Sequence, residues 1–146
     1  MYRTTVTLLL SLSILPVGQA RADDFCALLA RVTNDVPNKF KALRAGPDDT
    51  GDYHSSLIFP GAKDCYIAND SDFFSCNWKL GSDEDADEQA QVLAQGISGC
   101  FPGGRTIPAR TSGSGTSYRY IAESINYTDR ANPSSRRVSL RINVEP

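Results

Sequence analysis

The chain is poor in the residues on which catalysis and metal binding most often depend. It has a single histidine, His54, and no C-x2-C pair. One histidine excludes an H-E-x-x-H zinc site. A histidine-based triad would need a nucleophile beside it and an orienting acid. Ser55 and Ser56 are neighbours in sequence, but adjacent strand residues point to opposite faces, and neither sits in a G-x-S-x-G elbow. An ordinary strand or loop histidine is the plainer reading. No phosphate loop or dinucleotide fingerprint is present, and no cofactor is implied. Positive charge is not in excess, with 15 Lys and Arg against 17 Asp and Glu. A generic electrostatic grip on nucleic acid is therefore not expected. No internal repeat and no long low-complexity tract is legible.

Residues 1–22 read as a secretory signal peptide. Arg3 supplies the positive start, Val6 to Val17 an apolar stretch, and Ala20-Arg21-Ala22 the small-x-small pattern after which a signal peptidase cleaves. The apolar stretch is shorter than the ~18–20 residues of a spanning helix, and nothing later is apolar enough to be a second span. The expected mature form is residues 23–146, one exported domain without a transmembrane segment, periplasmic or extracellular.

Charge is unevenly placed. Asp23 to Cys100 holds 14 acidic and 6 basic residues, whereas Phe101 to Pro146 holds 3 acidic residues and 7 basic ones, all arginine. Either the surface is merely lumpy, or the Arg-rich end meets an acidic surface. Cys26, Cys65, Cys76 and Cys100 are even in number, which in an exported chain argues for two disulfides. A short turn at Asp70-Ser71 would set Cys65 opposite Cys76 and leave Cys26 to join Cys100. The alternative pairing, Cys26–Cys65 with Cys76–Cys100, would staple each helix to the sheet. Neither a metal site nor a redox pair fits the spacing, and a helix C-terminus, where Cys100 falls, disfavours a thiolate.

Phe25, Leu29, Val32, Val36, Phe40 and Leu43 recur on a 3.6-residue period and predict a helix from Asp24 to about Leu43, bent or split at Pro37. Tyr53 to Phe59 is a candidate strand. Asp64 to Ala68 and Phe73 to Leu80 read as two strands about a turn at residues 69–72. Phe74, Cys76, Trp78 and Leu80 alternate with Phe73, Ser75, Asn77 and Lys79, so one face is buried. Ser82 to about Gly99 is a second helix with a buried stripe of Ala86, Ala90, Leu93 and Ile97. Thr111 to Thr116 reads as a loop, and Tyr118 to Tyr127 and Arg137 to Val144 as two more strands. The expected fold is α+β, with two helices packed on one face of an antiparallel sheet of four to five strands, braced by disulfides.

Asp83, Asp85 and Asp87 form a D-x-D-x-D run, but Glu88 and Ala94 occupy the positions where a calcium loop needs Gly and Glu. Anions stabilising a helix start explain the run. The stretch from Cys65 to Gly103, CYIANDSDFFSCNWKL followed by an acidic helix and GCFPGG, resembles small periplasmic proteins of proteobacteria. That resemblance implies a bacterial periplasm and brings no functional residues. The expected function is a small binding module of the protein-interaction, inhibitor or immunity-factor type, with a protein partner. Its expected binding residues are Tyr66, Phe73, Asn77, Lys79, Arg137 and Arg141, on the sheet face away from the helices. The competing readings are a small carboxylate-dependent hydrolase and a structural envelope accessory protein.

Overall fold

The computed structural model describes residues 17–70, 72–113 and 115–144. The expected leader lies outside the described residues up to residue 16. Among the described residues no helix is long and apolar enough to cross a membrane.

Helix α1 spans Val17–Asn34. It is shorter than expected at its C-terminal end. Pro37 lies in a 3-10 turn over Val36–Asn38, and Lys39 and Phe40 take left-handed backbone angles before a second 3-10 turn at Lys41–Leu43. The buried Asp35 holds this corner, its carboxylate accepting from the Ala42 amide at 2.9 Å and the Asn38 side chain at 3.2 Å. The apolar period continues through the break because Val36, Phe40 and Leu43 still enter the core.

Four strands follow: β1 Arg44–Pro47, β2 Tyr53–Ser55, β3 Asp64–Ile67 and β4 Phe74–Lys79. Helix α2, Asp83–Cys100, starts where Ser82 accepts from the Asp85 amide at 3.1 Å, the expected capping interaction. Four longer strands come next: β5 Arg105–Ser112, β6 Gly115–Ala122, β7 Ile125–Asn132 and β8 Arg137–Val144. All eight form one antiparallel sheet in the order β1-β2-β3-β4-β8-β7-β6-β5.

The fold is α+β as expected, but the sheet has eight strands rather than four to five. The stretch read as one strand, Tyr118 to Tyr127, turns at Glu123-Ser124, and Thr111 to Thr116 belongs mostly to the β5–β6 hairpin. Both Glu123 and Ser124 have positive φ. A two-residue hairpin turn demands this, and Asn-Gly normally announces it.

The strand order exposes a repeat that the sequence hides. Helix and four strands occur twice, and the two sets meet where β4 pairs with β8. A shift of 64, from Cys76 to Leu140, carries the β3–β4 register onto that of β7–β8, with Cys65↔Cys76 becoming Asp129↔Leu140. Cys76 and Leu140 also face each other across the centre, so a pseudo-twofold axis passes between them. Each outer hairpin, β1–β2 and β5–β6, carries a register irregularity. Each edge strand carries a proline, Pro47 or Pro108, and bulges and prolines both blunt an edge.

The helices cover one sheet face. Leu29, Val32, Ala86, Ala90, Leu93 and Ile97 are buried together with Phe74, Cys76, Trp78, Val138, Leu140 and Ile142. Cys26–Cys100 ties α1 to α2 and Cys65–Cys76 ties β3 to β4, with Cα separations of 5.3 and 4.1 Å. Of the two pairings left open by the sequence, this is the one that joins the helices.

Candidate functional site

In an antiparallel sheet, residues directly opposite one another share a face. With Phe74, Cys76 and Trp78 facing the helices, the register lays out the other face. One row runs Ser75–Arg141–Thr128–Arg119–Ile107 from β4 to β5. The next runs Asn77–Ser139–Arg130–Ser117–Arg110, and a third holds Lys79, Arg137 and Asn132. Arg105 joins the same face opposite Ile121. Seven cationic side chains therefore share this face, and among the described strand residues Asp64 is the one carboxylate on it.

All six expected binding residues fall on this open side, at two places. Tyr66 and Phe73 meet edge to face at 6.0 Å between ring centres, and the Arg141 guanidinium lies 3.9 Å above the Phe73 ring. Asn77, Lys79 and Arg137 lie at the other end of β4 and β8, where Asn77 donates to Asp64 at 2.7 Å. Sequence reasoning missed Arg105, Arg110, Arg119 and Arg130. The last two sit on the β6–β7 hairpin, and the single strand expected there, Tyr118 to Tyr127, stops short of Arg130. The signal was present, since Tyr127, Asp129 and Ala131 alternate with Asn126, Thr128, Arg130 and Asn132, but the acid at an inward position disguised it.

That acid is Asp129. It is about 1% exposed and points to the helix side, opposite Tyr118 and Leu140. Neither carboxylate oxygen has a hydrogen-bond partner among the described residues. Burial without a partner pushes its carboxyl up to about 8. Asp129 lines neither the apolar groove nor the polar pocket of this fold. The groove, about 960 Å³, runs between α1 and α2 over Phe25, Phe59, Trp78 and Val92. The helices approach closely there: a side chain at Gly96 would come within 3.0 Å of the Phe25 ring.

His54 is exposed on β2, while Ser55 is buried and its hydroxyl accepts from the Leu57 amide at 3.0 Å. The two point to opposite faces and make no catalytic pair. Asp83 and Asp85 occupy the first turn of α2, and among the described residues no group of three His, Cys, Asp or Glu is placed to hold a metal. The chain matches no protein-family model, no curated protein and no solved structure.

Proposed function

We propose that this protein is a small exported binding module, periplasmic or secreted, that recognises a carboxylate-rich protein surface through the open face of its sheet. One observation carries the reading: seven cations share the face that the helices leave uncovered, against one strand carboxylate. Guanidinium groups pair with carboxylates through two parallel hydrogen bonds. Tyr66 and Phe73 beside Arg141 add the aromatic and arginine character of binding hot spots. Two disulfides and the expected leader support export.

The test is capture from the host's envelope fraction on immobilised, disulfide-intact protein, across a salt series. The expected result is an acidic protein retained at low salt, released as ionic strength rises, and not retained by the Phe73→Ala, Arg141→Ala double variant. Undiminished capture by that variant at low salt would mean that this face is not the binding surface.

A further inference from the structure

The groove between α1 and α2 lies on the helix side of the sheet, away from the cationic face. We propose that it is a binding site for a small amphiphile with an apolar chain and a cationic head group. The proposal is independent of the protein-binding reading, because it uses the other side of the molecule.

The sequence makes the groove by leaving side chains out. Gly96 and Gly99 stand on its α2 wall. The Phe25 ring packs so close to Gly96 that an added Cβ would come within 3.0 Å of it, whereas an added Cβ at Gly99 would meet nothing within 4 Å. Trp78 and Phe59 lie beneath, both buried. The Trp78 indole N–H already donates to the Pro60 carbonyl at 3.1 Å, and Cys26 is closed in its bridge to Cys100. The interior therefore offers a ligand apolar surface, with no open indole donor and no thiol. Val92 on the wall is 54% exposed, and a ligand that covers it gains by removing that surface from water.

Size and charge select the occupant. The volume of about 960 Å³ lies near the upper end of the ~300–1,000 Å³ typical of small-molecule pockets. A helix about 10 Å across would fill it in roughly two turns, too few for a peptide helix to persist. A single alkyl chain has no such requirement. Polar side chains in the lining are Asp24, Gln89 and Gln95, and among the described residues Asp24 is its one charge. Asp24 is exposed. An anionic head would meet this carboxylate without a cation to pair with, whereas a cationic head is attracted by it. The adjoining Phe25 ring adds a π face that also favours a cation.

Trp78 is the single tryptophan of the chain, so its fluorescence reports occupancy directly. The experiment titrates dodecyltrimethylammonium into the purified, disulfide-intact protein, below the micelle concentration and at constant ionic strength. Dodecyl maltoside, dodecanoate and hexyltrimethylammonium are titrated in parallel. The expected result is a saturable change in Trp78 emission, tightest for dodecyltrimethylammonium, with binding weakened roughly fourfold for each methylene removed. Gly99→Leu, at an open helical position, should weaken binding roughly tenfold or more by displacing part of the chain, with near-UV circular dichroism unchanged. Val92→Asn, at an exposed position, should weaken it less and serves as the second variant should Gly99→Leu disturb the fold. Asp24→Asn should erase the preference for ammonium over maltoside and leave dodecyl maltoside binding unchanged. The Phe73→Ala, Arg141→Ala double variant, altered on the other face, should bind as the parent does. An unsaturable response, tighter binding of dodecanoate, equal binding of the short and long ammonium chains, or full binding by both groove variants would overturn the proposal.

Discussion

The two halves of this molecule share a backbone plan and differ in how they hold it together. In the first, strands of three to six residues are fastened by Cys65–Cys76. In the second, strands of eight residues supply a longer ladder, and the position equivalent to Cys65 holds a buried acid without a partner. A short ladder gains from a covalent clasp that limits the unfolded chain, whereas a longer one tolerates a destabilising residue. On the outside the same shift exchanges Tyr66, Phe73 and Asn77 for Arg130, Arg137 and Arg141. The second half thus carries a destabilising buried acid inside and more charge outside.

The bridge between the halves should matter most. Cys26–Cys100 spans 74 residues and Cys65–Cys76 spans 11. Loop-closure entropy gives roughly 4.5 kcal/mol for the first and roughly 3 kcal/mol for the second. Replacing each pair by alanine and measuring denaturant midpoints should reproduce that order. The reverse order would mean that the halves dock firmly without their covalent tie.

Asp129 sharpens the comparison through pH. Its folded pKa of about 8 lies above the ordinary carboxyl value of about 3.9, so the folded state binds the proton more tightly. Its neutral form favours folding fully below pH ~4. That advantage is lost progressively as pH rises from about 4 to about 8, a loss on the order of 4 kcal/mol by pH 7. Asp129→Asn should raise stability at pH 7 by up to that amount and flatten the profile in this window. A wild-type profile already flat between pH 5 and pH 8 would show that the carboxyl has a partner after all.

The pseudo-twofold register predicts where a new clasp should fit. Asp129 opposes Leu140 as Cys65 opposes Cys76. In a Cys65→Ala, Cys76→Ala background, Asp129→Cys with Leu140→Cys should close a disulfide and restore about 3 kcal/mol. Two free thiols in the folded, oxidised protein would show that the halves differ in side-chain geometry despite their common register.

What the sequence made legible follows from where local rules were strong. The Ser82 cap, the β3–β4 hairpin with its cysteine pair, and the alternation of β8 are each announced by a few neighbouring residues. So was the placement of Tyr66, Phe73, Asn77, Lys79, Arg137 and Arg141 on one side of the sheet, because period two assigns faces without knowledge of the partner strand. The missed strands lacked such signals. Strand β5 is almost wholly exposed and has no buried set to reveal a period. The β6–β7 turn uses Glu123-Ser124 where glycine or asparagine is usual. The repeat was invisible because side chains at equivalent positions share burial rather than type: Phe74 with Val138, Cys76 with Leu140, Ile67 with Ala131.

The smallest expected effect probes the seam between the halves. Thr33 on α1 donates its hydroxyl to the Leu29 carbonyl at 2.8 Å, so its oxygen accepts the Tyr127 hydroxyl at 3.0 Å. This bond links the helix of the first half to β7 of the second. Tyr127 is otherwise packed, with Phe101 stacked at 5.4 Å, so Tyr127→Phe removes the hydroxyl and keeps the ring. A neutral hydrogen bond of this kind contributes about 1 kcal/mol net. Thr33→Val should cost a similar amount, and the two changes together little more than either alone. Burial of the ring raises the phenol pKa above its ordinary value, against the lowering effect of the Thr33 bond. The folded state therefore keeps its proton longer, and this contribution to stability is lost only as pH climbs past about 10. Chemical denaturation of the single and double variants at neutral pH measures the coupling. Additive losses would mean that the seam is held by packing and Cys26–Cys100, with no energetic link between these two hydroxyls.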